Sequence, residues 1–450
     1  MTAARSVVIV GGGLAGMGAA YALAERGATD ITIVERASEL GGLAGSIERD
    51  GRFYPLAYHH ILHRDRGLLW FLDRLSALPL VRWRKIDMLF HLGGRFYNLA
   101  SPAGFARFPM SALDKLRFAR LMGRAFLKRD WTDWEGRSAA ELIDRWGGPG
   151  VREALFEPLT RLKFDLPCAE SSGAWIGSRL HFREGASPFG YIPGHNWTQV
   201  LCHRLTRALL DRGITVRTRA SVAEISYDDD RVRSVTLEDG QTLSADEFIF
   251  TIPTETTTRL LPEDRTRTLR SIRYTAILSA IVTTRQPISP RFYWLNLLER
   301  RQASTGIFML DALNPTIGRR DDISLNFTTH LSGRDHPMYA LSDEELLQRY
   351  SNDFEELFGA PLVTDWSRLV RVPMYSPIFH RDYRNPPIRS ETYRNVWFAG
   401  NYLTHPSIAS TGTALLSGVR TAEALIGDDR EASPLSAAIV RFRLRGMKRA

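Results

Sequence analysis

Three glycines near the start of the chain, Gly11, Gly13 and Gly16, form the pattern G-x-G-x-x-G directly after an apolar run. Glycines at these positions allow a tight turn, the close approach of a pyrophosphate to the backbone, and close packing of a helix against a strand. The N-terminus of that helix presents unpaired N–H groups to the phosphates. Glu35 follows Gly16 by 19 residues, and an acid at about this spacing accepts hydrogen bonds from a ribose diol. The pattern predicts a dinucleotide-binding site.

The elements that position this site are predicted from the same stretch of sequence. Residues 7–10 form a short apolar run suited to a buried parallel strand, and residues 30–34 form a second one. A helix separates the two strands, and Leu14 and Ala15 in its first turn are included in the predicted dinucleotide site. Arg36, at the end of the second strand, is included as well.

Two other interpretations of the first segment account for fewer of its residues. Residues 6–24 carry no charge, so a hydropathy scan could assign them to a membrane span or a signal peptide. Each glycine inside a helix costs roughly 1 kcal/mol relative to alanine, so five glycines within eight positions are poorly suited to a plain span. We therefore expect a strand, a glycine turn and a helix.

Length and composition are typical of a globular protein with two domains: the chain has 450 residues, of which 44% are hydrophobic and 24% charged. The net charge of +9 favours anionic partners such as phosphates or an anionic membrane face. No nucleic-acid-binding module is recognised, so no nucleic-acid partner is expected.

Cys168 and Cys202 form no CxxC motif and have no metal-ligand spacing, which indicates a reducing compartment. No targeting segment is recognised, which predicts a cytoplasmic location.

A second glycine pair, Gly41 and Gly42, begins six residues after Glu35 and is followed by Leu43. A simple nicotinamide enzyme has no use for glycines at this point. A flavin enzyme does, because the long FAD molecule must pass over backbone between the ribose-binding strand and the flavin ring. The pair therefore favours FAD as the cofactor, and residues 41–43 are included in the predicted site.

The opening of the chain resembles the superfamily of flavin amine oxidases, protoporphyrinogen oxidases and phytoene desaturases, and UDP-galactopyranose mutase has a similar opening. Three later segments extend the resemblance: residues 155–167 (LFEPLTRLKFDLP), residues 190–194 (GYIPG) and residues 395–427. These segments cover the FAD half of the superfamily fold, whereas the middle of the chain matches loosely. The resemblance implies an α/β fold, with a Rossmann-like FAD-binding domain of the glutathione-reductase type and a second α+β substrate domain.

The resemblance also implies roles for residues that lie far from the first motif. Val222 would contact the adenine through its backbone, and the turn at Gly400 and Asn401 would contact the flavin. A helix that opens after this turn would direct its N-terminus at the flavin pyrimidine ring and stabilise negative charge there. The residues predicted to form that N-terminus are Gly412, Thr413 and Ala414.

The chain departs from the superfamily pattern in three places. Leu43 stands where an arginine is often found, and Asn401 stands where an acid is often found, although an amide can still bond a ribityl hydroxyl. No cysteine follows Cys202, so the cysteinyl link of some amine oxidases is not expected. FAD is therefore predicted to be held noncovalently.

Both predicted domains are discontinuous in sequence. The FAD-binding domain is expected to comprise residues 1–60, 192–255 and 388–428, the substrate domain residues 61–191 and 256–387, and a basic amphipathic tail residues 429–450. Within the substrate domain, residues 88–99 are predicted to form a hairpin that turns at Gly93 and Gly94. Residues 111–185 are predicted to be mainly helical, and residues 270–330 to alternate as strands of a second sheet.

Histidines provide the candidates for proton transfer. His59 and His60 follow the second glycine pair, where the resemblance places the flavin ring and the substrate, so either could donate to a substrate oxygen or move a proton. His405 follows the Gly400 turn and is a third candidate. Simple packing of these histidines in turns is the alternative. His59 and His63 have the i,i+4 spacing of zinc-binding helices, but no acid lies at ligand spacing, so no metal site is predicted.

The resemblance implies an FAD-dependent oxidoreductase that transfers a hydride between a substrate carbon and flavin N5. The expected substrate is small and lipophilic, either isoprenoid-like or anionic, and O₂ or a quinone would reoxidise the flavin. Two alternatives remain open: a transferase like UDP-galactopyranose mutase, with no net redox change, and a flavin-binding protein without catalysis. Arg179 and Tyr191 could face the substrate, but a place in the core or on the surface is the preferred interpretation.

Two amphipathic stretches are predicted to contact a membrane. Residues 435–450 contain five basic residues and no acid, with Ile439 on the opposite, apolar side of a helical wheel. Residues 105–129 combine aromatic and aliphatic side chains with a basic face. The protein is therefore expected to be cytoplasmic and peripheral on the inner face of the membrane. A frayed tail and an ordinary amphipathic core helix are the respective alternatives.

Overall fold

The computed structural model describes residues 5–182, 188–261, 267–299, 301–427 and 435–442. Within these ranges the strands are β1 (Val7–Val10), β2 (Ile31–Val34), β3 (Ser46–Arg49), β4 (Arg52–Pro55), β5 (Ile61–Leu62), β6 (Arg82–Arg84), β7 (Met88–Leu92), β8 (Arg95–Asn98), β9 (Phe189–Tyr191), β10 (Thr215–Arg217), β11 (Val222–Asp228), β12 (Arg231–Leu237), β13 (Thr242–Ser244), β14 (Glu247–Phe250), β15 (Tyr274–Thr284), β16 (Trp294–Leu297), β17 (Gly306–Met309), β18 (Ile323–Leu331), β19 (Trp366–Pro377) and β20 (Val396–Phe398).

The helices of the same ranges are α1 (Leu14–Glu25), α2 (Arg66–Arg74), α3 (Pro102–Arg107), α4 (Ala112–Leu127), α5 (Ala139–Trp146), α6 (Pro149–Val151), α7 (Glu157–Phe164), α8 (Gly173–Phe182), α9 (Trp197–Leu210), α10 (Thr254–Leu260), α11 (Arg267–Arg270), α12 (Leu310–Leu313), α13 (Asp343–Phe358), α14 (Thr411–Ile426) and α15 (Leu435–Arg441). A π-helical turn over Arg152–Phe156 joins α6 to α7. No helix of the described ranges is long and apolar enough to cross a membrane.

A five-stranded parallel sheet combines strands from three separate parts of the chain, with strand order β10-β2-β1-β14-β20. Its central strands β1 and β14 are buried along their whole length, as expected for strands covered on both faces. All five strands fall within the three segments predicted for the FAD-binding domain. The α/β fold class, with a Rossmann-like sheet, is confirmed. The domain boundaries themselves stay a prediction.

Helices α1 and α14 pack backbone against backbone. A Cβ atom added to Gly418 would lie 1.9 Å from the carbonyl oxygen of Ala15, and one added to Gly18 would lie 2.4 Å from that of Leu415. Each glycine therefore allows the partner helix to approach where any side chain would collide. No local pattern in the sequence links Gly18 to Gly418, because the partner helix lies about 400 residues further along the chain.

A second sheet of seven strands has the order β19-β15-β18-β17-β16-β7-β8. Its pairs are antiparallel except for β16 with β7. The hairpin β7–β8 turns at Gly93 and Gly94, which both have positive φ, as predicted. Helix α13 covers one face of the sheet through Leu346, Tyr350 and Phe354.

Residues 111–182, the described part of the stretch 111–185 that was predicted to be mainly helical, are mainly helical and contribute to a core rich in tryptophan. Helix α4 lies at its edge and buries only Leu121 and Ala125. Four large apolar side chains of α4 are exposed instead: Leu113, Leu116, Phe126 and Leu127. These exposed side chains belong to residues 105–129, one of the two stretches predicted to contact a membrane.

The tail helix α15 docks on the protein. Ile439 is fully buried in the core formed with α2 and α14, and Leu435 packs beside it. The Arg66 guanidinium donates to the carbonyl oxygen of Val440 at 2.6 Å, and the Ser436 N–H donates to Glu423 at 2.9 Å. The prediction that Ile439 faces a membrane is therefore wrong, because α2 and α14 offer an apolar surface that covers it. The rest of the predicted tail, residues 429–434 and 443–450, lies outside the described residues.

Candidate functional site

The first glycine turn forms an open cradle at the end of β1. The Gly11 N–H donates to the Val34 carbonyl at 2.8 Å, and a φ of 109° at Gly11 turns the chain sharply. A Cβ atom on Gly16 would lie 2.1 Å from the Gly11 carbonyl oxygen, so only glycine lets α1 start this close to the turn. Gly13 caps α1 without a side-chain hydrogen bond, which leaves the N–H groups of the first turn, including those of Leu14 and Ala15, without an intrahelical acceptor. This arrangement fits an anionic diphosphate.

Glu35 is 9% exposed and held by two backbone N–H groups. Its Oε2 accepts from the Gly12 N–H at 2.7 Å, and its Oε1 accepts from the Ala37 N–H at 2.8 Å. A carboxylate has about four acceptor sites, so both oxygens keep capacity for the two hydroxyls of a ribose. The neighbouring Arg36 side chain is exposed.

The segment that leads to Val222 runs beside Glu35. The Ala220 N–H donates to the Glu35 carbonyl at 2.9 Å, and the Arg219 N–H donates to the Ala37 carbonyl at 2.8 Å. Val222 then begins β11 and is partly buried. Its predicted contact with an adenine stays a prediction, and its place close to the ribose carboxylate is consistent with it.

The second glycine pair lies directly against the first motif. The Gly41 N–H donates to the Gly12 carbonyl at 2.8 Å, and a Cβ atom on Gly42 would lie 3.0 Å from the Cα of Gly13. Both residues have positive φ, 132° and 55°. A short 3-10 turn follows and contains Leu43. The backbones of Gly13 and Gly42 thus meet with no side chain between them. A Cβ atom on Gly13 would meet no atom closer than 4.0 Å, which leaves room for a long dinucleotide to pass.

The turn after β20 links the two halves of the molecule. The Gly400 N–H donates to the Ser417 hydroxyl of α14 at 3.1 Å. The Asn401 side-chain amide donates to the Tyr375 carbonyl of β19 at 3.3 Å. Asn401 therefore connects the predicted flavin turn to the wall of the second sheet.

The N-terminus of α14 is capped by protein groups. Ser410 and Thr413 form a reciprocal capping box, the Ala414 N–H donates to the Ser410 carbonyl at 3.0 Å, and the Gly412 N–H donates to Asp65 Oδ2 at 3.3 Å. The N–H groups of Gly412, Thr413 and Ala414 thus donate to protein acceptors rather than being free for hydrogen bonds to a flavin, and their predicted place in the flavin site stays a prediction. A contribution of α14 to the flavin site would come from the field of its N-terminus instead.

Asp65 joins the N-termini of two helices and was missed by sequence reasoning. Its Oδ1 accepts from the Leu68 N–H at 3.2 Å and so caps α2, while Oδ2 holds Gly412. Burial raises the pKa of this carboxyl. A Cβ atom on Gly67 would lie 2.6 Å from the Gly412 carbonyl, so glycines again allow the contact. An aspartate before a helix predicts a cap, but no signal links it to a residue 347 positions away.

Rings from both halves of the molecule form a wall next to the Asn401 turn, which we call the aromatic chamber. The ring centroids of Tyr58 and Phe308 lie 4.3 Å apart, and those of His60 and Trp294 lie 5.2 Å apart. The residues of the aromatic chamber are Tyr58, His60, Phe189, Tyr293, Trp294, Phe308, His330 and Tyr375. Such a wall suits an apolar, planar or polyunsaturated molecule.

His59 and His60 differ in their hydrogen bonds. His59 Nδ1 lies 2.8 Å from the Ala57 carbonyl, and a carbonyl can only accept, so the proton is on Nδ1 and Nε2 keeps its lone pair. Burial lowers the pKa of His59, which keeps the ring neutral. His60 Nδ1 lies 3.0 Å from the Tyr293 hydroxyl, and burial holds the pKa of Tyr293 far above its usual range. His59 thus offers a base, and His60 is part of the aromatic chamber.

Cations border the aromatic chamber on one side. The Lys163 ammonium lies 4.8 Å from the centroid of the Trp294 ring, and the Arg179 guanidinium lies 5.4 Å from that of Trp175. Burial, followed by the charges of Lys163 and Arg179, holds the pKa of His330 well below its usual range. His330 is therefore neutral, with its ring nitrogens 2.9 Å from Thr305 Oγ1 and 3.3 Å from the Tyr58 hydroxyl. That Arg179 faces the substrate rather than lying in the core or on the surface stays a prediction.

The contacts of His405 indicate a structural role, in contrast to its prediction as a catalytic residue. It is 6% exposed, and burial lowers its pKa to about 4. Its Nε2 lies 2.9 Å from the Ser172 hydroxyl, and its ring packs on Phe379 and Tyr383. His405 therefore connects the predicted flavin turn to the start of α8, and its catalytic role stays a prediction.

Known proteins share both sequence and fold with this chain. A sequence model of the family described as "Flavin containing amine oxidoreductase" matches residues 14–426. The 15-cis-phytoene desaturase of Glycine max is 22% identical over 475 residues, which cover 94% of this chain and 80% of that protein. A solved structure from Exiguobacterium sp. 255-15, described as "Putative protoporphyrinogen oxidase", superposes with a TM-score of 0.76 at 19% identity and covers 94% of this chain and 99% of that one.

Reduced UDP-galactopyranose mutase shares the fold as well. Its structure superposes with a TM-score of 0.70 at 14% identity, covering 98% of this chain and 99% of that chain. Because the fold is common to enzymes with and without net redox chemistry, the choice between them depends on the residues of the site.

Proposed function

Because the chain belongs to the family of flavin-containing amine oxidoreductases, we propose that it is an FAD-dependent oxidoreductase of the desaturase or oxidase type that acts on a small lipophilic substrate. The observation that carries this proposal is the aromatic chamber, which the Asn401–Tyr375 hydrogen bond joins to the predicted flavin turn. A chamber walled by aromatic rings and a neutral histidine suits an apolar substrate better than a sugar nucleotide.

The residues present fit FAD. Gly13 and Gly42 would accommodate the diphosphate, the uncapped first turn of α1 would donate to it, and Glu35 would accept from the adenosine ribose. When bound, FAD supplies the redox chemistry by exchanging a hydride at its N5 atom.

Protein side chains would then orient the substrate and exclude water. The rings of Tyr58, Trp294 and Phe308 form an apolar wall that would hold a hydrocarbon chain and keep solvent away. His59 would accept a proton at Nε2 from a substrate that loses one, since its Nδ1 proton is committed to Ala57. His60 would be fixed by Tyr293 and serve as a polar part of the wall.

Noncovalent attachment of FAD is supported by the state of both thiols. Cys168 and Cys202 are buried, and burial raises the pKa of each thiol to about 12. A protonated buried thiol is a poor nucleophile and would not form a link to a flavin.

We expect the purified protein to be yellow and to release free FAD when it is precipitated with acid. The measurement is the absorption spectrum and chromatographic identity of the flavin in the supernatant. Flavin that remains with the protein pellet would contradict noncovalent binding, and a colourless protein that binds no added FAD would contradict the proposed function.

Anaerobic mixing tests the reaction type. A lipophilic substrate should bleach the oxidised flavin in a single turnover, and O₂ or a quinone, the proposed acceptors, should restore the colour. A mutase-like enzyme, the second candidate, would require reduced flavin and consume no acceptor; its shared fold is the observation in its favour. Absence of bleaching with every candidate substrate would favour the non-catalytic alternative.

We further propose that α4 rests on an anionic membrane face at the cytoplasmic side. Leu116 and Leu127 are 69% and 78% exposed, and Lys115, Arg120 and Arg124 lie on the same helix. Exposed leucines next to basic side chains match the interface of an anionic bilayer, where the apolar groups insert and the charges meet lipid phosphates.

Changing Leu116 and Leu127 together to glutamate should weaken binding to vesicles that contain phosphatidylglycerol by about tenfold or more. Burial of a leucine contributes roughly 1.5–3 kcal/mol when complete, and the new charges would be repelled by the lipid. Co-sedimentation with vesicles, with and without phosphatidylglycerol, measures the effect.

Val363→Glu is the matched control, because Val363 is 62% exposed but lies outside α4. A second arm removes residues 443–450, the basic end of the chain, while keeping the docked Ile439. Equal sedimentation of wild type and the double variant would exclude α4, and a loss only in the shortened chain would assign binding to its basic end.

A further inference from the structure

Arg179 carries a partly buried charge that has no carboxylate partner among the described residues. Its electrostatic partners are the hydroxyl groups of Tyr58 and Tyr375, and no carboxylate of the described ranges is among them. Arg179 is partly buried, and burial is the largest cause that lowers its pKa. A buried cation without a counter-ion is costly, and an anionic ligand would offset that cost.

A second cation, Lys163, lies near Arg179. Lys163 lies over Trp294, and both cations act on the neutral His330 at the same side of the aromatic chamber. Burial keeps the pKa of Tyr375 well above its usual range, so its hydroxyl stays protonated and can donate. Arg179, Lys163 and Tyr375 therefore lie near one another beside the aromatic chamber.

We propose that the aromatic chamber takes a lipophilic substrate with an anionic group, either a carboxylate or a phosphate, and that Arg179 binds this group. This inference rests on the proposed function and narrows its substrate class. The guanidinium offers paired N–H groups that match the two oxygens of a carboxylate or phosphate. Lys163 adds a second positive charge, and the hydrocarbon part lies along Tyr58, Phe308 and Trp294.

The test uses the FAD-loaded protein and three probes that share one chain: farnesol, farnesoic acid and farnesyl monophosphate. Isothermal titration calorimetry should give tighter binding of the acid or the phosphate than of the alcohol by about tenfold or more. The two anionic arms show which head group the site prefers. Equal binding of all three probes, or binding of none, would overturn the proposal without affecting FAD binding or the reaction type.

Arg179→Met should remove the preference for the anionic probes and leave farnesol binding unchanged, and Arg179→Lys should restore part of it. Arg137→Met is the matched control, because Arg137 also lies over a tryptophan, 5.3 Å from the Trp134 centroid, but is exposed. Thermal unfolding and FAD content of each variant verify folding. If a variant does not fold, the binding of the three probes to the wild-type protein still tests the proposal.

If Arg179 acts on the flavin rather than on the substrate, the experiment gives a different result. Arg179→Met would then weaken sulfite addition to the flavin while the difference between farnesoic acid and farnesol stays as in wild type. That outcome would overturn the proposal. A protein that binds no FAD would instead refute the proposed function, so the two failures are distinguishable.

Discussion

Gly418→Ala is expected to lower the free energy of unfolding by about 3 kcal/mol or more and to reduce FAD content. The new methyl group would lie 1.9 Å from the Ala15 carbonyl oxygen and 2.6 Å from the Ala19 nitrogen. Both atoms belong to the backbone of α1, which cannot move aside without shifting the glycine turn at its N-terminus. Urea unfolding, followed by circular dichroism and flavin fluorescence, measures the change.

Gly123→Ala is the control for this substitution. Gly123 also lies inside a helix, α4, but a Cβ atom there would meet nothing within 4 Å. Alanine is the better helix former by roughly 1 kcal/mol, so this variant should be as stable as wild type or more so. If Gly418→Ala unfolded at the same urea concentration as wild type, the backbone packing of α1 on α14 would be refuted.

Glu35→Ala is expected to raise the dissociation constant of FAD by about ten- to a hundredfold. A hydrogen bond to a charged group contributes roughly 1.5–3 kcal/mol, and the variant would leave the ribose without its acceptor. It would also leave the N–H groups of Gly12 and Ala37 without theirs, so the glycine turn itself should loosen. Titration of apoprotein with FAD, followed by flavin fluorescence, gives the constant.

Two further variants show whether the effect is specific to the hydrogen bonds that the Glu35 carboxylate accepts. Glu39→Ala removes an acid from the same loop whose side chain is 76% exposed, and it should leave the constant unchanged. Glu35→Gln keeps one carbonyl acceptor and should fall between wild type and Glu35→Ala. An unchanged constant in Glu35→Ala would show that this carboxylate does not hold the ribose.

The parts of this fold that could be predicted from sequence are those whose signal is local. The G-x-G-x-x-G turn, the acid at position 35 and the hairpin at Gly93 each depend on residues within one or two elements, and the structure has strands and turns at those places. The superfamily resemblance, which rests on the same local motifs, is confirmed by the family match over residues 14–426.

The parts that could not be predicted depend on contacts between distant segments. Asp65 and Gly412 are 347 residues apart, and an aspartate before a helix looks the same whether it caps one helix or two. Arg179 follows Ser178 on α8, and its position in the sequence does not distinguish a solvated helix face from a partly buried place beside the aromatic chamber. A helical wheel places Ile439 on an apolar face, but it does not show whether a membrane or the protein core covers that face, since both are apolar.

The chain order of the parallel sheet has a consequence for biosynthesis. The sheet takes β1 and β2 from the first 34 residues but its edge strand β20 only from Val396–Phe398, and α14 covers α1 after that. The cofactor cradle therefore emerges from the ribosome early and stays without its covering helix while more than 360 further residues are made. We therefore expect stable loading of FAD to follow synthesis of α14. Until then the glycine face of α1 is a surface that molecular chaperones can bind.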